Sequence, residues 1–488
     1  MNTISISFFV FLSLFLGVGV YSASRKKTTA DDYLVASREV HPWLAALSAV
    51  ATNNSGFMFI GLIGMTFLDG LSSMWIMLGW VVGDYVAWLM KIPDRLRIES
   101  ERSERITIPS FIGAGQDDGR AATVVAGLIT LAFLGIYSAA QLNAGSKALH
   151  SMFGWDYEVG AILGALIVVV YCFAGGIRAS IWTDAVQAIV MFFSMALLLV
   201  VTVHHAGGWD SMWSSLAQVD PQFVSVWPEA PRFGLLMFIV GWMFAGFGVV
   251  GQPHIMVRAM AIDSADNMAS ARRVYVFYNA VFAVAAIGVG LAARATLPGL
   301  IDGFDIATFD AELALPKLAL ALLPSVIVGM CLAGLFAATM STADSQILSC
   351  SAVLTQDLFP KAGKSYAMMK GATIFVAAVA LGISLYAIAL ERAGEESGVF
   401  QLVVLAWAAL AAGLGPALIL RCFRCKLPSS VAAMTMIGGI VGVIVWRYGL
   451  GWNGAIYDVL PGMASGFSVY GIWWLVKGRG EDSTINPT

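Results

Sequence analysis

Apolar residues in this chain come in long unbroken runs, not at the alternating spacings that mark half-buried helices or strands. Thirteen runs reach about 20 residues, the length that crosses a bilayer as a helix. They are 3–22, 43–68, 71–92, 121–144, 157–176, 179–203, 233–256, 274–296, 325–353, 367–390, 399–420, 428–446 and 455–476. The pattern predicts an all-α integral membrane protein of about thirteen transmembrane helices, numbered here as spans one to thirteen. One domain over 1–480 holds them, because no loop is long enough for a second; 481–488 is a polar tail expected to be disordered. The run Leu315–Pro324 is too short to span and is expected to lie as a surface helix or lid.

Two spans are interrupted. Span two carries Asn53-Asn54-Ser55-Gly56 at its middle, a turn-prone patch at bilayer depth. Span seven ends Gly246-Phe-Gly-Val-Val-Gly-Gln-Pro-His254, where glycine and proline both weaken a helix interior. The two breaks lie five spans apart. An inverted repeat of five helices, about 43–203 and 233–420, gives that interval. Interrupted segments at corresponding places in two halves point to a solute site at the midplane, where half-helix ends and freed carbonyls meet the cargo. That places a solute beside Asn53, Ser55 and Gly56 on one side and Gly248 to Pro253 on the other. Tyr137, Gln141 and Asn143 on span four either face it or bridge helices by hydrogen bonds.

Span nine has the densest polarity. Ser341, Thr342, Asp344 and Ser345 fall within about one and a half helical turns. Single hydroxyls in membrane helices often bond back to the preceding turn. Three hydroxyls with a carboxylate point instead to an ion or solute, because an intramembrane acid is costly unless it faces something. The donors are all oxygen, which suits small hard cations. Asp184, in span six, is either a second carboxylate facing that cluster or an acid in the first turn of its helix. Asp84, in span three, reads as a water-exposed partner of a neighbouring basic group. His204 and His205 read as solvated, and His254 lies beside the span-seven break.

Charge sets the orientation. Only 12% of the 488 residues are charged and 59% are hydrophobic, so a soluble enzyme is excluded. A net charge of −3 with no basic domain argues against nucleic acid. Most of the 28 basic residues, including Arg25, Lys26, Lys27, Arg95, Arg97, Arg102, Arg105, Arg258, Arg272, Arg273, Arg421, Arg424 and Lys426, fall on one side if the N-terminus is outside. The positive-inside rule then puts the C-terminus in the cytoplasm. The outer loops are acidic, with Asp302, Asp305, Asp310 and Glu312 in one and Glu391, Glu395 and Glu396 in another. The five cysteines read as reduced, small apolar residues, Cys422-x-x-Cys425 included. No nucleophile with a base, zinc-protease motif or phosphate loop stands in a suitable context, so no enzyme is expected.

Trp182-Thr-Asp184, Gly251-Gln-Pro-His254 with Arg258, and Met340-Ser-Thr342 with Ser345-Gln346, set in thirteen spans, resemble the sodium/solute symporter family. The nearest likeness is to its sodium/proline symporter branch, over nearly the whole chain. The resemblance implies a leucine-transporter-like inverted repeat, Na+ as the coupling ion, and a small organic solute carried across a bacterial-type plasma membrane. Its principal sodium site carries over to Ser341 and Thr342 with carbonyls of Ala338, Ala51 and Asn54. A second sodium, found in some members, would use Asp184 and hydroxyls placed like Ser341 and Ser345, with Asp344 beside them.

This chain departs from the branch in two places. Proline symporters carry an aspartate where Asn53 stands, and Asp344 on the opposite helix is one candidate to replace that charge. The aromatics expected on span seven are Ala245 and Val249 here. The expected function is sodium-coupled uptake of an amino acid such as proline, or a related carboxylate. The rivals are a proton-coupled carrier with Asp184 or Asp344 as relay, and a membrane sensor. The solute and the oligomeric state are not written in the sequence.

Overall fold

A computed structural model describes residues 3–24, 29–115, 119–229, 231–301, 304–394 and 398–477. Arg25, Lys26, Lys27, Asp302, Glu395, Glu396 and the tail 481–488 lie outside the described residues. Within them the chain is helical, with one isolated parallel bridge between Val40 and Ile262. Eleven helices are long and apolar enough to cross a membrane. One of these, Pro42–Leu89, contains spans two and three on either side of a 3-10 turn at 70–73. The shorter apolar helix Tyr157–Val170 completes the expected thirteen.

Spans five and six meet at a sharp kink, where the backbone of Gly175 and Gly176 is non-helical. Gly176 has a φ of +59°, and a side chain there would meet the ring and carbonyl of Tyr33 at 2.6 Å. Glycine is what the kink requires.

Both predicted breaks are present, and they differ in kind. In span two the helix Pro42–Gly56 is interrupted at one residue, Ser55, with φ 45° and ψ −168°. That region is nearly reserved for glycine and costs about 1–3 kcal/mol in any other residue. A π-helical segment, Phe57–Leu62, follows. Span seven instead unwinds. The helix Gly234–Phe247 tightens to a 3-10 turn at Gly248–Gly251, Gln252 is extended, and Pro253 starts a new helix to Ala261. Proline suits a first helical position because its missing N–H would find no partner there.

Spans three (Met74–Leu89) and seven pack backbone against backbone. A Cβ on Gly83 would sit 1.7 Å from the Met243 carbonyl oxygen, and one on Gly246 would sit 1.8 Å from that of Trp80. Gly83→Ala should therefore force the two helices apart. The expected cost is at or above the upper end of the roughly 1–3 kcal/mol typical of overpacking, read as a lower unfolding temperature in detergent. An unchanged unfolding temperature would mean the crossing has slack that this geometry denies.

The segment expected as a surface lid forms the helix Ala314–Leu322, with Leu315, Pro316 and Leu318 buried. It is packed into the bundle on one face. The acids in front of it are gathered, not solvated: Lys147 Nζ, on span four, donates to Glu312 at 2.7 Å, Glu391 at 2.8 Å and Asp310 at 2.9 Å. These three carboxylates lie close enough together to hold a metal ion. The buried ammonium already takes that place.

Candidate functional site

Span nine, Ser325–Ala352 with a π-helical end, is buried along most of its length. Its hydroxyls divide between two neighbours. Thr342 Oγ1 lies 3.3 Å from the carbonyl oxygen of Thr52 on span two, three residues before the Ser55 break. Ser341 Oγ and Thr342 Oγ1 each lie 3.1 Å from the Ala338 carbonyl. Thr342 therefore stands against the last helical turn before the break, where Ala51 and Asn54 also lie. The Asn54 carbonyl accepts the Phe57 N–H across the break.

Asp344 and Ser345 face span six. Ser180 Oγ donates to Asp344 Oδ1 at 3.0 Å, and Ser345 Oγ donates to the same oxygen at 2.9 Å. Ser48 Oγ donates to Asp184 Oδ2 at 2.6 Å. Arg258 ties the group together: its Nη2 is 3.1 Å from Asp184 Oδ2 and also contacts Ser345 Oγ, while its Nε donates to Ser48 at 3.0 Å. Arg258 is only 1% exposed, although its charge reads in the sequence as a cytoplasmic marker. Two carboxylates against one guanidinium leave one negative charge in a buried cluster. A pocket lined by Tyr33, Thr107, Pro253 and Ser349 reaches Ser345, and another between span one and Ser180 reaches Asp344.

Asp344 is held by Ser180 and Ser345, and no hydrogen bond joins it to Asn53 among the described residues. Asn53 meets Asp84 instead. Asp84 is fully buried, and no basic side chain pairs with it among the described residues, so its reading as a water-exposed ion-pair partner is corrected. The pattern of apolar runs located the acid in a span without saying which way it points.

The expected solute residues surround the two breaks. Gln141 Oε1 accepts the Gly56 N–H at 2.8 Å. A Cβ at Gly56 would meet Ala144 at 2.7 Å and Thr339 at 2.9 Å, so the close approach needs glycine. Tyr137 packs edge-on to His254 with ring centroids 5.4 Å apart. Gln252 Nε2 donates to the Trp407 carbonyl at 3.1 Å, and Trp407 Nε1 donates to the Ala245 carbonyl at 2.7 Å. Trp407 also lies 4.6 Å from Trp80, which stacks on Phe57. Small residues at Ala245 and Val249 are thereby accompanied by an aromatic wall from spans two, three and eleven. Pro253 begins the second half-helix, with its ring buried.

Unpartnered buried polar atoms collect in the same region: Thr52 Oγ1, Asn54 Nδ2, Gln141 Nε2, Gln252 Oε1, both ring nitrogens of His254, and both polar atoms of Gln346. Buried polar groups are normally hydrogen-bonded, so a concentration of exceptions at two helix breaks points to a site that takes polar cargo. Ser180 was accessible to sequence reasoning, one turn before Asp184. Ser48 and Trp407 were not, because their partners come from distant spans.

A family model described as the sodium:solute symporter family matches residues 33–439. The sodium/proline symporter of Escherichia coli is 32% identical over 466 residues, covering 94% of this chain and 90% of that protein. The high-affinity proline transporter PutP of Bacillus subtilis is 32% identical over 448 residues, covering 91% and 92%. Among solved structures, a sodium-coupled sialic acid symporter in a substrate-bound outward-open state superposes with a TM-score of 0.75 at 20% identity, covering 96% of this chain and 98% of that one. A nucleobase-cation-symport-1 family transporter superposes at 0.58 and 15% identity, covering 91% and 95%. These superpositions give the leucine-transporter-like fold of inverted five-helix repeats, in a multi-pass membrane protein. The chain belongs to the sodium:solute symporter family.

Proposed function

We propose that this chain is a secondary active symporter in which sodium, moving down its gradient, drives import of an amino acid such as proline or a related small carboxylate by alternating access. The observation that carries the reading is Thr342 Oγ1 standing 3.3 Å from the Thr52 carbonyl, beside the strained backbone of Ser55. A sodium ion held by the Ala51, Asn54 and Ala338 carbonyls with Ser341 and Thr342 bridges span nine to the interrupted helix. The solute lies beyond the same interruption, at Asn53, Ser55, Gly56, Tyr137, Gln141, Ala245, Val249, Gln252 and Pro253. One ion can then hold in place the backbone that the solute needs, which is the physical content of coupling. A coupling of about 1–3 kcal/mol changes solute affinity by roughly 5- to 150-fold.

A second sodium fits beside Asp184, Ser341, Asp344 and Ser345, where the single uncompensated negative charge calls for one monovalent cation. A carboxylate-bearing solute suits the start of the half-helix at Pro253, whose dipole favours an anion. The relatives named for proline transport make proline the first solute to try. The inferred orientation is N-terminus outside and C-terminus cytoplasmic, in a bacterial plasma membrane.

Uptake of radiolabelled proline into proteoliposomes tests the reading. An inward sodium gradient should drive accumulation above the external concentration, and choline in its place should not. Accumulation driven equally by an inward proton gradient without sodium would favour the Asp184–Asp344 relay. Failure of a panel of amino acids and organic acids to accumulate under any gradient would remove symport altogether.

A further inference from the structure

The carboxyl group of Asp84 gathers hydrogen-bond donors in the interior, with no basic partner among the described residues. Three donors converge on one oxygen, Asp84 Oδ2: Tyr275 OH at 2.7 Å, Asn279 Nδ2 at 3.0 Å and Asn53 Nδ2 at 3.2 Å. Asn53 Nδ2 also donates to Tyr275 OH at 2.8 Å. Each of the three neighbours is placed to donate to that oxygen, the arrangement that suits a carboxylate. Asp84 is fully buried, and Asn53 and Asn279 are 4% and 2% exposed. No lysine, arginine or histidine pairs with Asp84 among the described residues. A buried charge without a counter-ion is among the costliest things a protein can hold.

Three further oxygens of the group have no partner: Asp84 Oδ1, Asn53 Oδ1 and Asn279 Oδ1. Both carboxamides already reach the carboxylate through nitrogen, so half a turn about each terminal torsion brings their oxygens to the same place. The same side chains can therefore hold the bare carboxylate with N–H groups, or surround a cation on it with oxygens. Carboxylate, carboxamide and phenol oxygens are the hard donors that small cations take. A pocket lined by Ala46, Ala49, Trp88 and Met256 also borders Tyr275.

We propose that Asp84, Asn53, Asn279 and Tyr275 form a further sodium site, joining spans two, three and eight. It is separate from the Ser341–Thr342 group on span nine and from the Asp184–Asp344 cluster. Asn53 stands two residues before the Ser55 break, so an ion on Asp84 draws the same interrupted helix toward spans three and eight. Sodium at this site and sodium on span nine then act on one element from opposite sides. The inference rests on the sodium-coupled reading above, but it concerns how many ions bind.

Equilibrium binding of radioactive sodium to the purified full-length protein, counted per chain, tests it. Asp84→Asn should bind one sodium ion fewer than the unaltered protein. Asn279→Leu, which keeps the charge and removes one oxygen ligand, should weaken one class of sodium sites and leave the rest. Tyr275→Phe is the variant to use if Asp84→Asn does not fold, and it should weaken the same class. Thr342→Ala should lose a different ion, so that Asp84→Asn with Thr342→Ala loses both. An unchanged sodium count in Asp84→Asn, including the case where Asp84 carries only a proton, overturns the proposal while leaving sodium coupling intact. If the unaltered protein binds no sodium, the sodium-coupled reading itself fails.

Discussion

Alanine at both Ser341 and Thr342 is expected to abolish sodium-driven uptake without unfolding the protein. Each hydroxyl bonds the Ala338 carbonyl of its own helix at 3.1 Å, and Thr342 Oγ1 additionally contacts Thr52. Back-bonding of this kind slightly destabilises a helix, so its removal does not threaten span nine. What disappears is the pair of side-chain oxygens proposed to hold sodium, of which Thr342 Oγ1 meets the broken span two. With coupling of about 1–3 kcal/mol at stake, the solute affinity measured in sodium should fall by up to roughly 150-fold, to the value seen without sodium. The conservative exchanges Ser341→Thr and Thr342→Ser keep an oxygen in place and should keep sodium dependence. The double alanine variant must be compared at equal unfolding temperature in choline. Full sodium-driven uptake in that variant would show that the hydroxyls are merely structural.

Arg258→Met should cost the most stability of any single change discussed here. Arg258 is the one cation in a cluster holding Asp184 and Asp344, and all three side chains are buried. Breaking a buried ion pair by removing one partner typically costs about 3–5 kcal/mol, because the remaining charge is left uncompensated. In this cluster two carboxylates remain. Thermal unfolding in detergent should fall sharply for Arg258→Met, and Asp184→Asn added to it should recover part of the loss. Recovery is the informative result, since loss of packing alone would not respond to a neutralised acid. Unfolding of Arg258→Met at the unaltered temperature would mean that water or ions already screen the cluster.

How much of this was legible beforehand depended on whether a feature is local. The thirteen spans follow from runs of about 20 apolar residues and needed no tertiary information. The breaks at Asn53–Gly56 and Gly248–Pro253 were marked by turn-prone residues at bilayer depth, and both are present. Their difference was not foreseeable. Ser55 is a single strained residue because Gln141 and Thr339 hold Gly56 tightly, whereas Gln252 is extended because Pro253 follows it. The division between spans five and six was legible as the end of one apolar run and the start of the next, and the kink at Gly175–Gly176 falls there.

Side-chain partnerships were the least legible. Asp184 and Asp344 are 160 positions apart, and only the crossing of spans six and nine brings Asp344 to Ser180, which lies one turn before Asp184 on its own helix. Asp84 was misread because an acid in an apolar run reveals burial cost but not direction. Its partners, Asn53, Tyr275 and Asn279, come from spans two and eight. Trp407 carried no signal at all, being one apolar residue among many, yet its indole reaches the Ala245 carbonyl of span seven.

Sodium binding to the protein without any solute tests the central claim most directly, because it does not depend on identifying the cargo. Unfolding temperature would be followed while sodium, potassium or choline chloride is exchanged at constant ionic strength. A ligand that binds only the folded state stabilises it by RT ln(1 + [L]/Kd), about 2.7 kcal/mol at one hundred times Kd. The account predicts a saturable rise in unfolding temperature with sodium alone, smaller in the variant with alanine at Ser341 and Thr342. Identical unfolding temperatures in sodium, potassium and choline would contradict it.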